Sequence, residues 1–418
     1  MIEKNNSRKL SVLINQLKNL FMRVIHGIRA ILLLFCIIFY ANLYSQNEYR
    51  ILFIGNSYTF CNDLPSMIKE ISITAGKKIS VDSYSIAGAT FRNHCAGNSM
   101  QMIKSGGYDI VVLQEQSQLP SFPDAQFEVE VFPWAKMLVD TIYEYNDCVL
   151  PMFYMTWGRK NGDASNGAYF PVLSTYEGMD SMLYERYMLM KDSFNTAVSP
   201  VGRVWRYIRA NYPSIELYQN DESHPSLSGS YAAALTFYSV IFNDSPFSTT
   251  YNPGVSGVEE KCIKTAVEQV VVNNYDMWKR DSLVVDMEIE ELAINSYKFS
   301  SLTPYAGICM WDFGDGEVSD AEVVEHTYRQ QGDYQVIFKV GRCADTGFED
   351  SISVTLSVSI HSISTCGVYK KELNNVVVYS ALGVELWRGK YSDFIRNEQK
   401  GFFIVKDVEN EILMKIVK

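Results

Sequence analysis

Histidine is scarce in this chain: there are five in 418 residues, scattered at positions 26, 94, 224, 326 and 361. No C-x-x-C pair and no clustered His/Cys spacing occurs, so no His/Cys metal site is read and no cofactor is expected. Basic residues are in deficit, 37 Lys and Arg against 48 Asp and Glu, for a net charge of −11. The first 45 residues hold six of the basic residues and only one acidic residue, so the remainder is more acidic still, at −16. Such a surface repels phosphate backbones, which excludes nucleic acid and suits a neutral substrate. The N-terminal apolar run Ala30–Tyr40 has eleven residues, too few for a bilayer helix.

What stands there instead reads as an export signal. A basic stretch precedes the short apolar run, and Ala41-Asn42-Leu43-Tyr44-Ser45-Gln46 follows it. Residues 1–46 are therefore expected to be a cleaved signal peptide. The mature chain is expected to be secreted or on the cell surface, with no permanent membrane anchor. Of eight cysteines, Cys36 would leave with the signal and seven would remain, an odd number. Cys309 with Cys343, and Cys61 with Cys95, are the candidate pairs. The length calls for several domains, and a hydrophobic fraction of 47% is enough to build their cores.

From Tyr49 to Tyr275 strand and helix patterns alternate. Strands are expected at Arg50–Ile54, Ile79–Ser85, Asp109–Leu113, Val149–Met155 and Ile215–Tyr218. Helices are expected at Leu64–Ala75, Ala135–Tyr145, Asp180–Ser199, Val201–Tyr212 and Leu227–Phe242. This alternation implies an α/β fold, a parallel sheet covered on both faces. Active residues of such sheets gather at the carboxyl ends of strands, and Ser57, Gly88, Gln114 and Asp221 all follow expected strands. Beyond Ser282 the runs are short and β-rich, with Gly and Asp supplying turns. From His361 to Lys418 the pattern is again β-like, and no long repeat or low-complexity tract occurs.

A serine hydroxyl is a weak nucleophile until a base takes its proton. Ser57 in Gly55-Asn56-Ser57, with His224 as base and Asp221 three residues before it to orient the ring, supplies the parts of a hydrolytic triad. Backbone N–H groups of Ser57 and Gly88 are candidate oxyanion donors. Helix capping by Ser57, and a structural role for His224 before Pro225, are the competing readings.

With these residues in view, residues 47–282 resemble the SGNH (GDSL-like) hydrolase superfamily. Phe53-Ile54-Gly55-Asn56-Ser57-Tyr58-Thr59 resembles its first block, Gly88 its second, and Asp221-Glu222-Ser223-His224-Pro225 its last. The resemblance implies a three-layer α/β/α sandwich with a parallel sheet. It also implies cofactor-free action on ester bonds, as in esterases, lipases, thioesterases and carbohydrate deacetylases. The Asn of the third block is missing. Leu113-Gln114-Glu115-Gln116-Ser117 stands in its place, and Gln114 or Gln116 is the expected substitute donor. Glu115, Tyr154, Trp157 and Arg159, with Lys160, are expected to contact substrate, ordinary loop packing being the alternative. His94 is expected to be a solvated loop residue.

Residues 283–360 resemble a PKD domain, an Ig-like β-sandwich, through Trp311-Asp312-Phe313-Gly314-Asp315-Gly316, His326-Thr327-Tyr328 and Gly332-Asp333-Tyr334. Such a domain acts as a spacer or binds polysaccharide, and the spacer role is favoured here. Asp312 and Asp315 are candidate calcium ligands. Residues 361–418 resemble the small β C-terminal sorting domain of type IX secretion in Bacteroidetes, through Val378–Gly383 and Gly401–Lys406. That resemblance implies the type IX secretion machinery as a partner. The expected whole is a secreted serine esterase acting on a small-molecule or polysaccharide ester, with carbohydrate O-deacetylation foremost. The alternatives are a lipase or thioesterase of the same superfamily, or a non-catalytic glycan-binding protein on a hydrolase scaffold.

Overall fold

The structure, a computed structural model, describes residues 48–359 and, beyond them, the strands at 368–369, 376–380, 385–389, 402–407 and 413–417. The expected signal peptide lies outside the described residues, as does the expected sorting domain apart from those strands.

Residues 51–54 are apolar without alternation, which suits a strand buried on both faces. They form the centre of β1 (Tyr49–Gly55) and are all buried. With β2 (Ile79–Ser85), β3 (Ile110–Leu113), β4 (Leu150–Tyr154) and β5 (Ala197–Ser199) it makes a five-stranded parallel sheet, in the order β2-β1-β3-β4-β5. The helices Leu64–Thr74, Val201–Asn211, Leu227–Phe242 and Gly257–Val270 pack together as one group. Phe91–Cys95, Asn98–Lys104 and Phe132–Tyr145 pack as another. The result is the expected three-layer α/β/α sandwich. Strand order reverses direction at β1, between β2 and β3, and the crevice beyond that point is where such sheets bind ligands.

The fifth strand is not where the sequence pattern put it. The helix expected at Asp180–Ser199 runs from Tyr176 to Ser193 and stops before Asn195, whose φ of 49° is left-handed. The chain then turns, and Ala197–Ser199 pairs with β4 as a fully buried strand. Ile215–Tyr218 instead makes a single bridge, Tyr218 to Pro225. Pairing with β4 outweighs helix continuation, a tertiary effect that local pattern does not carry.

The next segment folds as two antiparallel sheets. One holds β10 (Val323–Thr327), β7 (Ser296–Ser301) and β6 (Met287–Ala293), with 368–369 beside β6. The other holds β12 (Asp350–Val358), β11 (Gly332–Gly341), β8 (Ile308–Asp312) and β9 (Val318–Ser319). Phe299, Trp311, Phe313, Tyr328 and Phe338 fill the core, and Trp311 stacks on Phe338 at 3.9 Å. This is the Ig-like sandwich. Both candidate calcium carboxylates serve the turn. Asp312 accepts from the Gly314 N–H, while Asp315 accepts from the Glu317 N–H and bonds the His326 ring at 2.8 Å. The last four strands form an antiparallel sheet, in the order 385–389, 376–380, 402–407, 413–417.

Neither expected disulfide forms. Cys61, Cys95, Cys309 and Cys343 are free thiols, with Cys95 directed at the Trp134 carbonyl and Cys309 at the Asp320 carbonyl. Among the described residues no helix is long and apolar enough to cross a membrane.

Candidate active site

Asn56 follows β1 and caps the one-turn helix Ser57–Phe60, its side chain accepting from the Tyr58 N–H. The turn carries Ser57 to the carboxyl edge of the sheet, where it is half-buried. A side chain at Gly55 would force its neighbours to move. A Cβ there would lie 2.2 Å from Thr59 Oγ1 and 2.8 Å from Gln114 Oε1.

Opposite Ser57 stands the loop Gln219–Pro225. It is closed by bonds from the Gln219 N–H to the His224 carbonyl and from the Ser226 N–H to the Leu217 carbonyl. Within it Glu222 takes a left-handed φ of 61°, which doubles the chain back so that Asp221 and His224 face each other. Ser57 Oγ lies 2.8 Å from His224 Nε2, and His224 Nδ1 bonds Asp221 Oδ2. The network assigns the tautomer: Nδ1–H donates to the carboxylate and Nε2 accepts from the Ser57 hydroxyl. Asp221 Oδ1 accepts from the N–H groups of Ser223 and His224. Desolvation raises the Asp221 carboxyl, but the bonds from His224 and Ser223 outweigh it and hold the group below its usual range.

Ser57, His224 and Asp221 are thus brought together in one hydrogen-bonded chain. Gly88 follows β2, is exposed, and has a left-handed φ of 69° that only glycine adopts freely. Its N–H and that of Ser57 have no protein acceptor among the described residues.

Most of the remaining expected site residues turn inward. Gln114 has no exposure. Its Oε1 accepts from the Asn56 N–H and the Thr59 hydroxyl, and its Nε2 donates to the Glu115 carbonyl. Gln116 turns into its own loop, donating to Gln118 Oε1 and accepting from the N–H groups of Gln118 and Leu119. Both amides are thus engaged within the protein, and that of Gln114 lies away from solvent. Glu115 is fully buried and contacts no solvent, accepting from the Phe91 and Gln116 N–H groups. Burial pushes its carboxyl up to about 8 against the pull of those donors. Tyr154 is core, edge-on to Phe237. Trp157 is buried between Tyr58 and Trp205, with ring centroids at 4.7 and 3.7 Å, and donates to the Ser223 carbonyl. It supports the histidine loop from beneath. Arg159 stays half-buried and pairs with Asp163 at 3.5 Å, while Lys160 pairs with Glu216. His94 lies buried in the helix Phe91–Cys95, its Nε2 3.0 Å from the Gly55 carbonyl, and burial lowers its pKa.

Sequence reasoning missed Tyr58 as more than a member of the first block. Its hydroxyl bonds Ser223 Oγ at 2.6 Å and its ring meets His224 edge-on at 5.4 Å. It also missed Asp163, which has no side-chain exposure and gathers Gln118 and Asn166 around it. An aromatic one residue after Ser57 was the available signal for the first; Asp163 had none.

Comparison with known proteins adds the following. Residues 296–360 match the family model of the PKD domain. No curated protein matches the chain. Among solved structures it is similar to a DUF4886 family protein from Bacteroides uniformis, at 16% identity and TM-score 0.47, over 54% of this chain and 95% of that one. It is also similar to a candidate SGNH hydrolase from Slackia heliotrinireducens, at 24% identity and TM-score 0.39, over 46% and 98%. A third similarity, to the PKD1 domain of Vibrio anguillarum Epp, has 21% identity and TM-score 0.18, over 19% and 98%. The chain thus joins a parallel α/β sandwich to an antiparallel segment that matches the PKD domain.

Proposed function

We propose that this protein is a serine hydrolase of carboxylic esters. The observation that carries the reading is the 2.8 Å contact of Ser57 Oγ with His224 Nε2, on a ring whose other nitrogen is held by Asp221. Ser57 Oγ attacks the ester carbonyl while its proton passes to Nε2. The oxyanion is met by the N–H groups of Ser57 and Gly88, two backbone donors without a side-chain third. His224 then protonates the departing alkoxide, leaving an acyl group on Ser57. Water, deprotonated by the same nitrogen, clears that acyl group. Asp221 stabilises the imidazolium at each stage.

The substrate we infer is a short acyl ester on a carbohydrate. Asp221 and Gly88 are exposed and Ser57 and His224 half-buried, so the site opens directly to solvent and can meet an ester on a large molecule. The PKD match suits work on extracellular polymers. Export by the N-terminal signal and the type IX machinery belongs to the same reading, and sequencing the amino end of the mature protein tests it.

The test of the chemistry is hydrolysis of p-nitrophenyl acetate, butyrate and octanoate by the full chain, Ser57→Ala and His224→Ala. Each variant is expected to lose about a thousandfold or more in kcat/KM. Acetate should be the preferred substrate. Activity that survives Ser57→Ala sinks the triad, and a preference for octanoate moves the substrate to lipid esters.

A further inference from the structure

Where the α/β sandwich meets the Ig-like segment, a cavity of about 390 Å³ opens. Tyr143, Cys148 and Arg280 line it from one side, and Tyr305, Arg342 and Cys343 from the other. The two cysteines sit on the tips of two tightly held turns. Cys148 follows the Phe132–Tyr145 helix in a left-handed conformation, φ 57°. Its turn is fixed by buried Asn146, which accepts from the Tyr108 N–H and donates to the Ile103 and Ile142 carbonyls. Cys343 follows β11 in a turn closed by its bridge to Gly347 and by Thr346 Oγ1 on the Cys343 carbonyl.

The turns face each other across a clamped junction. Arg280 donates to the Val149 carbonyl at 2.9 Å, next to Cys148. Arg342, next to Cys343, donates to Asn195 Oδ1 and to the Asp281 carbonyl. Tyr143 stacks on Tyr305 at 4.6 Å, and the Tyr305 hydroxyl donates to Asp140. Held in this way, Cys148 and Cys343 line one cavity from its two sides.

We propose that Cys148 and Cys343 are a redox modification site, closing to an interdomain disulfide that locks the Ig-like segment onto the α/β sandwich. The Cys148 side chain holds the Cys343 thiol below its ordinary pKa, which makes Cys343 the attacking thiolate. The oxidant is an external disulfide, of a small thiol or of an oxidoreductase. Cys343 Sγ attacks one of its sulfurs and expels the other as a thiolate. Cys148 Sγ then attacks the mixed disulfide at Cys343 Sγ and expels the second. The two protein protons pass to the two departing thiolates, so the external disulfide is reduced to two thiols as the protein disulfide forms. Cys148 is exposed and Cys343 half-buried, so an external disulfide reaches the pair without unfolding. The bridge would close a loop that runs through both domains, the kind of long loop from which a cross-link gains most.

The test takes the full chain through oxidised glutathione, alkylates the remaining thiols with N-ethylmaleimide, digests without reduction and reads the peptides by mass. The expected product is one peptide pair joining Cys148 to Cys343, lighter by two hydrogens than the reduced pair, with Cys61, Cys95, Cys262 and Cys309 alkylated. Reductant should lower the apparent Tm of the oxidised wild type and leave that of Cys148→Ser unchanged. Alkylation of both Cys148 and Cys343, stable glutathione adducts on either, or pairing of either with another cysteine such as Cys366 would overturn the proposal.

Discussion

Glu115 sits in the middle of Leu113-Gln114-Glu115-Gln116-Ser117 and ties two loops together, with the Phe91 N–H on one side and the Gln116 N–H on the other. Burial favours its neutral form, with a carboxyl pKa of about 8 against 4.5 in the unfolded chain. The unfolded chain therefore loses this proton first as pH rises, while the folded chain keeps it. The contribution to stability is full below about 4.5 and is lost as pH climbs to about 8, at up to about 1.4 kcal/mol per pH unit. Glu115→Gln resembles the neutral acid and still accepts from both N–H groups. Thermal unfolding of the two proteins is expected to show wild type losing ground to the variant between about pH 5 and 8. A pH-independent difference would mean that the carboxyl is ionised in place. At the same scale, Gly55 and Gln114 are a matched pair: the amide oxygen occupies the space a Cβ at 55 would need. That is why Gly-Asn-Ser and Leu-Gln-Glu-Gln-Ser go together in this chain, and why the glutamine is a brace.

At the scale of elements, His224 is positioned by a loop that the sheet does not contain. Gln219–Pro225 rests on Trp157, which follows β4, and leads through the Ser226 cap into the Leu227–Phe242 helix. Ser226 Oγ accepts from the Gly229 N–H and donates to the Glu216 carbonyl, so the cap also joins loop and helix. Trp157→Phe keeps a ring between Tyr58 and Trp205 but loses the donor to the Ser223 carbonyl. It is expected to cost about 1 kcal/mol of stability and to lower kcat several-fold with little change in KM, because His224 is displaced relative to Ser57. Steady-state kinetics beside a denaturation curve separates the two effects. An unchanged kcat would show that the loop holds its shape without this bond.

At the scale of the whole molecule, the α/β sandwich and the Ig-like segment meet through a junction centred on Arg342. Its side chain is nearly buried, and it pairs with Glu349 while bonding Asn195 and the Asp281 carbonyl. Arg342→Ala leaves these acceptors without their donor and is expected to cost about 1–3 kcal/mol. Calorimetry of the full chain in reductant should then resolve two transitions where wild type shows one. A single transition in the variant would mean that the Tyr143–Tyr305 stack couples the domains without the arginine.

Residue types and periods were enough to read the α/β class, the order of most elements, and Ser57, Asp221 and His224 as one set. Those readings rest on local physics: unbroken apolar runs make doubly buried strands, and Asp-x-x-His brings both partners onto one loop. Other features depended on contacts between segments distant in sequence. β5 lies at Ala197–Ser199 because β4 offers it an edge to pair with. Gln114, Glu115, Tyr154 and Trp157 turn inward because helices and loops from elsewhere cover them, which a polar or aromatic residue after a strand does not announce. The facing of Cys148 and Cys343, where spacing suggested Cys309, follows from how two domains dock. Local pattern reports which residues can do chemistry, and burial by distant segments decides which of them meet solvent, and therefore substrate.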